Sequence, residues 1–175
     1  PVGEETFVVP GPAEPPWADS RFPRAARAGY KVLEDYRNFY SCPSLVCLTA
    51  AFGAGALMAN TGFDTTMQGA WMRSVEPSDL GTFFSGCKDM GEGRYALPIF
   101  GAAAATGLLF EGNPAGDVVG EWGSRSLRMF VVGAPPLYVM QWVTGASRPA
   151  DGGGSQWHSF ADNNGVSGHA FIGAI

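Results

Sequence analysis

The stretch Asn163-Asn-Gly-Val-Ser-Gly-His169 stands directly before a short apolar run that reaches Ile175. Asn-Asn-Gly predicts a turn, because asparagine and glycine tolerate the left-handed backbone that turns need. Ser167 then occupies the position of a helix N-cap, where a hydroxyl oxygen accepts a hydrogen bond from a backbone N–H of the first turn. The stretch therefore predicts a turn followed by a capped helix, with His169 in its first turn.

The same residues predict a phosphate-handling site when they are combined with Arg148-Pro149, seventeen residues before Val166. Arginine offers a planar fork that fits phosphate oxygens. Backbone N–H groups at a helix start favour an anion, and Gly168 leaves room for it beside Ser167. A histidine can give or take a proton near neutral pH, which suits His169 to phosphoryl transfer.

Composition narrows the class of protein. The 175 residues fit one domain, and apolar residues make up 46% of the chain against 15% charged residues. The apolar residues are clustered, which allows a sizeable core or several membrane helices. A net charge of -5 without a basic stripe argues against nucleic acid as a partner.

Metal, disulfide and nucleotide motifs are not recognised. Three cysteines and two histidines show no zinc-like spacing and no disulfide framework, so the cysteines are predicted to be buried thiols. An EF-hand loop aligned on Gly165 would need Phe160 and Phe171 as calcium ligands, which they cannot be. The glycines at 152–154 lack the Lys-Ser/Thr of a P-loop and are predicted to form a hinge.

Hydropathy divides the chain into alternating polar and apolar segments. They are an irregular arm with six prolines (1–23), a polar helix (24–40), an apolar run (44–60), short amphipathic pieces (61–94), a second apolar run (96–110), a polar connection (111–128), a third run interrupted by Pro135-Pro136 (127–144), a glycine-rich loop (145–165) and a fourth run from Val166. We expect an N-terminal arm and polar helix over 1–40 and a helical domain over 41–175.

The apolar runs are intermediate between buried core helices and membrane spans, which need about 20 apolar residues. Glycines and alanines within them favour close helix packing in lipid. Segments 1–43 and 111–128 carry seven of the eleven Lys and Arg residues. By the positive-inside rule this bias places the Arg148 loop away from the cytoplasm. Both a membrane-embedded protein and a soluble helical bundle remain open.

The stretch from Leu137 to Ile175 resembles the type 2 phosphatidic acid phosphatase (PAP2) superfamily. That family has three blocks: Lys, six residues, Arg-Pro; then Pro-Ser-Gly-His; then Ser-Arg, five residues, His, three residues, Asp. Arg148-Pro149 and Ser167-Gly-His169 match the first two blocks in order and separation. Gln141 stands at the lysine position and Val166 at the proline position. The third block is not present, and we expect this sequence to be truncated before it.

The resemblance implies an all-α helical bundle of PAP2/haloperoxidase type, membrane-embedded and incomplete at the C-terminus. It implies that Arg148, Ser167 and Gly168 bind phosphate, with Gln141 in the place of a charged ligand. His169 would be the general acid that protonates the leaving alcohol. The nucleophilic histidine, which forms a phosphohistidine, would lie in the third block. His158 and Trp157, in the same loop, are expected at the rim of the pocket.

The expected activity is hydrolysis of a lipid phosphate or isoprenoid diphosphate without a metal or other cofactor, at a bacterial-type inner membrane with the site facing away from the cytoplasm. One alternative is a soluble, periplasmic or secreted relative, either an acid phosphatase or a haloperoxidase with vanadate as cofactor. A second alternative is a non-catalytic structural subunit that retains the fold, for which Gln141 is the support. The 175 residues alone are expected to be inactive, and the oligomeric state is not predicted.

Overall fold

A computed structural model describes residues 24–146, 156–161 and 165–175, and every regular element within these ranges is helical. The helices are α1 (Arg24–Phe39), α2 (Cys42–Asn60), α3 (Phe63–Ser74), α4 (Asp79–Cys87), a 3₁₀ turn (Lys88–Gly91), α5 (Gly93–Leu109), α6 (Pro114–Thr144) and α7 (Gly168–Gly173). The all-α prediction is confirmed for the described part of the chain.

Local chemistry explains where α6 begins. Asn113 is its N-cap, and the side-chain oxygen accepts hydrogen bonds from the backbone N–H groups of Ala115 and Gly116 at 3.0 and 3.3 Å. Pro114 follows at the first helical position, where no N–H is needed. Gly112, with a φ of 83°, reverses the chain between α5 and α6 in a conformation that favours glycine.

The α5–α6 hairpin is closely packed, and its glycines allow this. A Cβ built on Gly107 would lie 2.6 Å from the Cα of Gly120. One built on Gly123 would lie 2.5 Å from the carbonyl oxygen of Phe100. Because no side chain separates the two helices at these positions, their backbones are in direct contact.

The predicted polar connection over 111–128 is wrong, and so is the predicted interruption at Pro135-Pro136. Only residues 110–113 connect the two helices, and α6 runs without a break through both prolines. Proline at 135 has no N–H to donate to the carbonyl of Val131, four residues earlier. The hydroxyl of Tyr36 donates to that oxygen at 3.0 Å instead, so α1 satisfies the acceptor that the proline leaves open.

One helix in the described ranges could cross a membrane by length and composition. It is α2, with 19 residues, a mean hydropathy of 1.7 and no buried residue. Its apolar side chains point in all directions, which is typical of a helix surrounded by lipid or by other protein. The other apolar runs, in α5 and α6, do not meet the same length and composition, so several spans are not supported. Arg125 and Arg128, which entered the charge count as loop residues, lie inside α6.

The core is small and lies where α5, α6 and α7 meet. Ala96, Phe100 and Ile172 are buried together, and Phe130 and Phe171 pack against them. Many large apolar side chains remain exposed, among them Leu57 at 68% and Phe83 at 63%. Cys42 and Cys47 are also exposed, contrary to the prediction of buried thiols, while Cys87 is half-buried.

α1 lies parallel to α6. Lys31, Asp35 and Tyr36 of α1 contact Glu121, Arg128 and Val131 of α6 in that order, with the Asp35–Arg128 ion pair at 2.6 Å.

At the end of α2, the backbone N–H of Trp157 donates to Asn60, and the Trp157 ring packs on Phe52 with centroids 4.8 Å apart. The N–H of Phe160 donates to the carbonyl oxygen of Trp142 on α6 at 3.0 Å, so residues 156–161 contact the C-terminal ends of both α2 and α6.

Candidate active site

The first turn of α7 lies directly on the 3₁₀ turn. Gly91 is buried there, and a Cβ at this position would overlap the carbonyl oxygen of His169. Ser167 is the N-cap of α7, and its hydroxyl oxygen accepts a hydrogen bond from the N–H of Ala170 at 3.2 Å. The predicted capped helix start at Ser167 is confirmed, and His169 lies in its first turn.

His169 is hydrogen-bonded to a carboxylate 77 positions away in the sequence. Its Nε2–H donates to Oε1 of Glu92 at 2.5 Å. The second carboxylate oxygen, Oε2, lies 3.3 Å from Nε of Arg94. Glu92 is the N-cap residue of α5, and His169 lies in the first turn of α7. A residue at the start of one helix therefore orients a histidine at the start of another.

The pKa of Glu92 is lowered below its ordinary value of 4.5. The main cause is the hydrogen bond from His169, which outweighs the opposing effect of desolvation, and the positive charges of Arg94, His169 and Lys88 lower the pKa further. The Glu92 carboxylate is therefore ionised at neutral pH, where it can accept the Nε2–H bond and stabilise an imidazolium.

An open cavity of about 260 Å³ lies beside this pair. Four polar side chains line it, from three different parts of the chain, and the remaining lining is apolar or glycine. The polar residues are Glu92, Tyr138, Gln141 and His169. A concave, mostly apolar site with a few convergent polar groups is the usual form of a small-molecule site.

Gln141 stabilises the turn that leads into α7. Its Nε2 donates to the carbonyl oxygen of Val166 at 2.7 Å. The side chain lies close to Gly168, where a Cβ would come within 3.8 Å of Nε2. Gln141 is thus in the neighbourhood of His169, but one of its amide hydrogens is already used. Its role as a phosphate ligand stays a prediction.

The two ends of the loop between α6 and α7 are in contact. A Cβ on Gly165 would overlap the hydroxyl oxygen of Thr144 and would lie 3.5 Å from the Cβ of Ala146. Thr144 is fully buried and donates to the carbonyl oxygen of Met140 at 2.9 Å. The close approach explains why glycine is needed at position 165.

The predicted site residues are therefore in different situations. Gly168 and His169 line the 260 Å³ cavity, and Ser167 is next to them in sequence but its oxygen is engaged as a cap. Trp157 is half-buried against α2 and His158 is exposed, and neither is among the cavity-lining residues. Arg148 lies outside the described residues.

Sequence reasoning missed Glu92, Arg94 and Tyr138. Glu92 stands between Gly91 and Gly93 ahead of α5, and a carboxylate flanked by two glycines was the available signal. Its proximity to His169 depends on how the 3₁₀ turn packs on α7. No spacing rule links residues so far apart.

The Glu92–His169 pair predicts a pH-dependent contribution to stability. Because the pKa of the Glu92 carboxylate is lowered in the folded protein, the stabilisation is fully present above about pH 4.5, the ordinary value, and is lost as the pH falls through the lowered value. We expect Glu92→Gln to remove this part of the acid dependence when unfolding is followed from pH 7 to pH 3. Glu76→Gln, which changes an exposed carboxylate, is the control and should keep the wild-type acid dependence. Identical acid profiles for wild type and Glu92→Gln would contradict the prediction.

Within the described residues, no group of three or more His, Cys, Asp or Glu side chains is arranged to hold a metal ion. Comparison with protein-family models, curated proteins and solved structures finds no match to this chain.

Proposed function

We propose that the chain carries the acid half of a phosphatase site of PAP2 type, which hydrolyses a lipid phosphate or isoprenoid diphosphate. The observation that supports this most directly is the hydrogen bond between His169 and Glu92 at the edge of a cavity. A histidine held by a carboxylate is suited to act as a general acid or base, because the carboxylate orients the ring and stabilises its charged form.

In the proposed reaction, His169 protonates the oxygen of the leaving alcohol, and Glu92 orients the imidazole. Arg148, Ser167 and Gly168 are proposed to contact the phosphate oxygens, with Gln141 at the fourth position that the resemblance implies. The nucleophile would be the histidine of a third block that residues 1–175 do not contain. No cofactor is proposed.

A lipid substrate is favoured by the apolar surface around the site. α2 is long and apolar enough to cross a membrane and has no buried residue. Tyr138 and Trp142, on the part of α6 next to the cavity, are exposed at 64% and 62%. Amphipathic aromatic side chains of this kind are enriched where proteins meet the membrane–water interface. We therefore propose that the site works at a membrane.

The test is phosphate release from phosphatidate and from undecaprenyl diphosphate by a protein that contains these residues and the third block. We expect His169→Ala to lower turnover by about 10²–10⁴-fold, the usual contribution of a positioned general acid. His158→Ala, which changes an exposed histidine in the preceding loop, is the matched control and should keep wild-type turnover. Wild-type turnover in His169→Ala would refute the assigned role.

A non-catalytic structural subunit is the second candidate, and the use of the Gln141 amide in holding Val166 favours it. A residue that stabilises a turn is not free to replace a charged phosphate ligand in full. This candidate predicts no phosphate release by the wild type and none by Gln141→Lys. Phosphate release that rises in Gln141→Lys would instead favour the phosphatase. The soluble relatives are distinguished by two other results. Extraction into buffer without detergent would favour a soluble protein, and bromide oxidation that depends on added vanadate would favour the haloperoxidase.

A further inference from the structure

An apolar surface lies on the two short helices that follow α2. In α3 large apolar residues recur at i, i+4 and i+8, and in α4 at i, i+3 and i+4, so each helix carries them on one side. The ring of Trp71 on α3 lies 5.4 Å from that of Phe84 on α4, which joins the two sides into one surface. This surface, the aromatic patch, consists of Phe63, Met67, Trp71, Leu80, Phe83 and Phe84.

The aromatic patch faces outward. No residue of α3 or α4 is buried, and Met67, Leu80 and Phe83 are more than half exposed. By contrast, Asp64 and Gln68, on another side of α3, are half-buried. A surface helix of a soluble domain has the reverse arrangement, with its apolar side turned inward. Exposed apolar patches of this kind mark surfaces that contact another protein or a membrane.

The preceding helix decides between these two partners. α2 has 19 residues and rises about 28 Å, close to the hydrocarbon thickness of a bilayer, about 30 Å. Only residues 61 and 62 separate it from α3, and two residues span at most about 7 Å. The headgroup layer on each side of a bilayer is about 5–8 Å thick. If α2 crosses a bilayer, α3 therefore begins within this layer.

We propose that the aromatic patch inserts into the interfacial layer of a lipid bilayer, at the surface where α2 ends. Aromatic and aliphatic side chains on one side of a helix are what such insertion buries. Residues 61–91 carry four acidic and two basic side chains, so attraction to anionic lipids does not drive it. The partner is the apolar boundary of the bilayer, whatever the charge of its head groups.

The aromatic patch is continuous with the base of the His169 site. α4 ends at Cys87, the 3₁₀ turn begins at the next residue, and Gly91 in that turn lies against the backbone of His169. Insertion of the patch holds the His169 cavity near the level of the lipid head groups, where lipid phosphates lie. This consequence rests on the proposed function, whereas insertion itself rests on α2 and the patch.

The test measures the depth of a spin label on the chain in phosphatidylcholine vesicles. Cys42→Ser, Cys47→Ser and Cys87→Ser remove the native thiols, and a nitroxide is attached to Phe83→Cys in the aromatic patch. The relative access of oxygen and of a water-soluble nickel complex should place this label about 5–10 Å into the bilayer from the headgroup boundary. Thr82→Cys, exposed on the other side of α4, is the matched control, and its label should lie in water. Adding phosphatidylglycerol should leave both depths unchanged.

Three results would overturn the proposal. Equal access of the nickel complex to positions 82 and 83 would show that the aromatic patch lies in water. Protection of position 83 from both reagents would show that a second copy of the chain covers it. Insertion only in the presence of phosphatidylglycerol would show that charge drives it. None of these measurements depends on turnover, so each result leaves the proposed phosphatase activity to its own test.

Trp71→Phe supplies a second measurement if the variant without native cysteines loses its helical circular dichroism. The difference in emission between wild type and Trp71→Phe is the fluorescence of Trp71. Phosphatidylcholine that is brominated along its acyl chains should quench this fluorescence, because the ring lies among those chains. Trp71 emission that is equal in brominated and ordinary vesicles would refute the insertion.

Discussion

Gly120→Ala is expected to destabilise the fold by about 1–3 kcal/mol or more, because the new methyl group has no space. Gly107 and Gly120 bring α5 and α6 together with their backbones in contact, and a Cβ on Gly107 would already lie 2.6 Å from the Cα of Gly120. A Cβ on Gly120 would overlap the Cα of Gly107 in the same way, so the helices must separate to accept a methyl group at either position. The measurement is the free energy of unfolding, followed by far-UV circular dichroism in mild detergent.

Gly101→Ala is the matched control for this prediction. Gly101 is also inside α5, but a Cβ there would meet nothing within 4 Å. Alanine should therefore stabilise the helix by roughly 0.5–1 kcal/mol through its higher helix propensity. Similar changes at Gly101 and Gly120 would show that the glycines act through propensity alone and that close packing of α5 on α6 is not what they provide.

Gly91→Ala is expected to separate His169 from Glu92. The added methyl group would overlap the carbonyl oxygen of His169, so the first turn of α7 must move away from the 3₁₀ turn. The 2.5 Å hydrogen bond between Nε2 and Oε1 cannot tolerate a shift of that kind. If His169 is the general acid, we expect turnover to fall roughly 100-fold, as for other misplacements of about 1 Å.

The structural part of this prediction can be measured without activity. The ring ¹⁵N resonances of His169 in Gly91→Ala should approach those in Glu92→Gln, because both variants lack the carboxylate partner. Gly86→Ala, in α4, introduces a Cβ that meets nothing within 4 Å and should leave the resonances at their wild-type positions. Wild-type resonances in Gly91→Ala would contradict the expected separation of His169 from Glu92 and would show that α7 can pack on the 3₁₀ turn without a glycine at position 91.

Local sequence signals predicted some features of the fold well. Residues 44–60 were predicted as one apolar segment, and α2 covers it from Cys42 to Asn60. Ser167 was predicted as a cap from its place after a turn and before an apolar run, and it is one. These features depend on neighbours in sequence, because propensity, capping and hydropathy act over a few residues.

Prediction failed where a distant residue decides the local structure. Pro135-Pro136 normally interrupts a helix, yet α6 continues, and the hydroxyl of Tyr36 on another helix satisfies the carbonyl oxygen of Val131. Glu92 was not recognised as a site residue because its relation to His169 requires the packing of Gly91 on α7.

The sequence by itself determined the all-helical class, the apolar character of α2 and the chemical types at the site: a histidine beside a serine cap and a glycine. Each follows from periodicity, hydropathy or the hydrogen-bonding capacity of single residues. Only the tertiary structure decided that α6 is one helix and that Glu92 orients His169. These features depend on contacts between residues 95 and 77 positions apart, and the second contact forms because Gly91 allows the 3₁₀ turn to touch the first turn of α7.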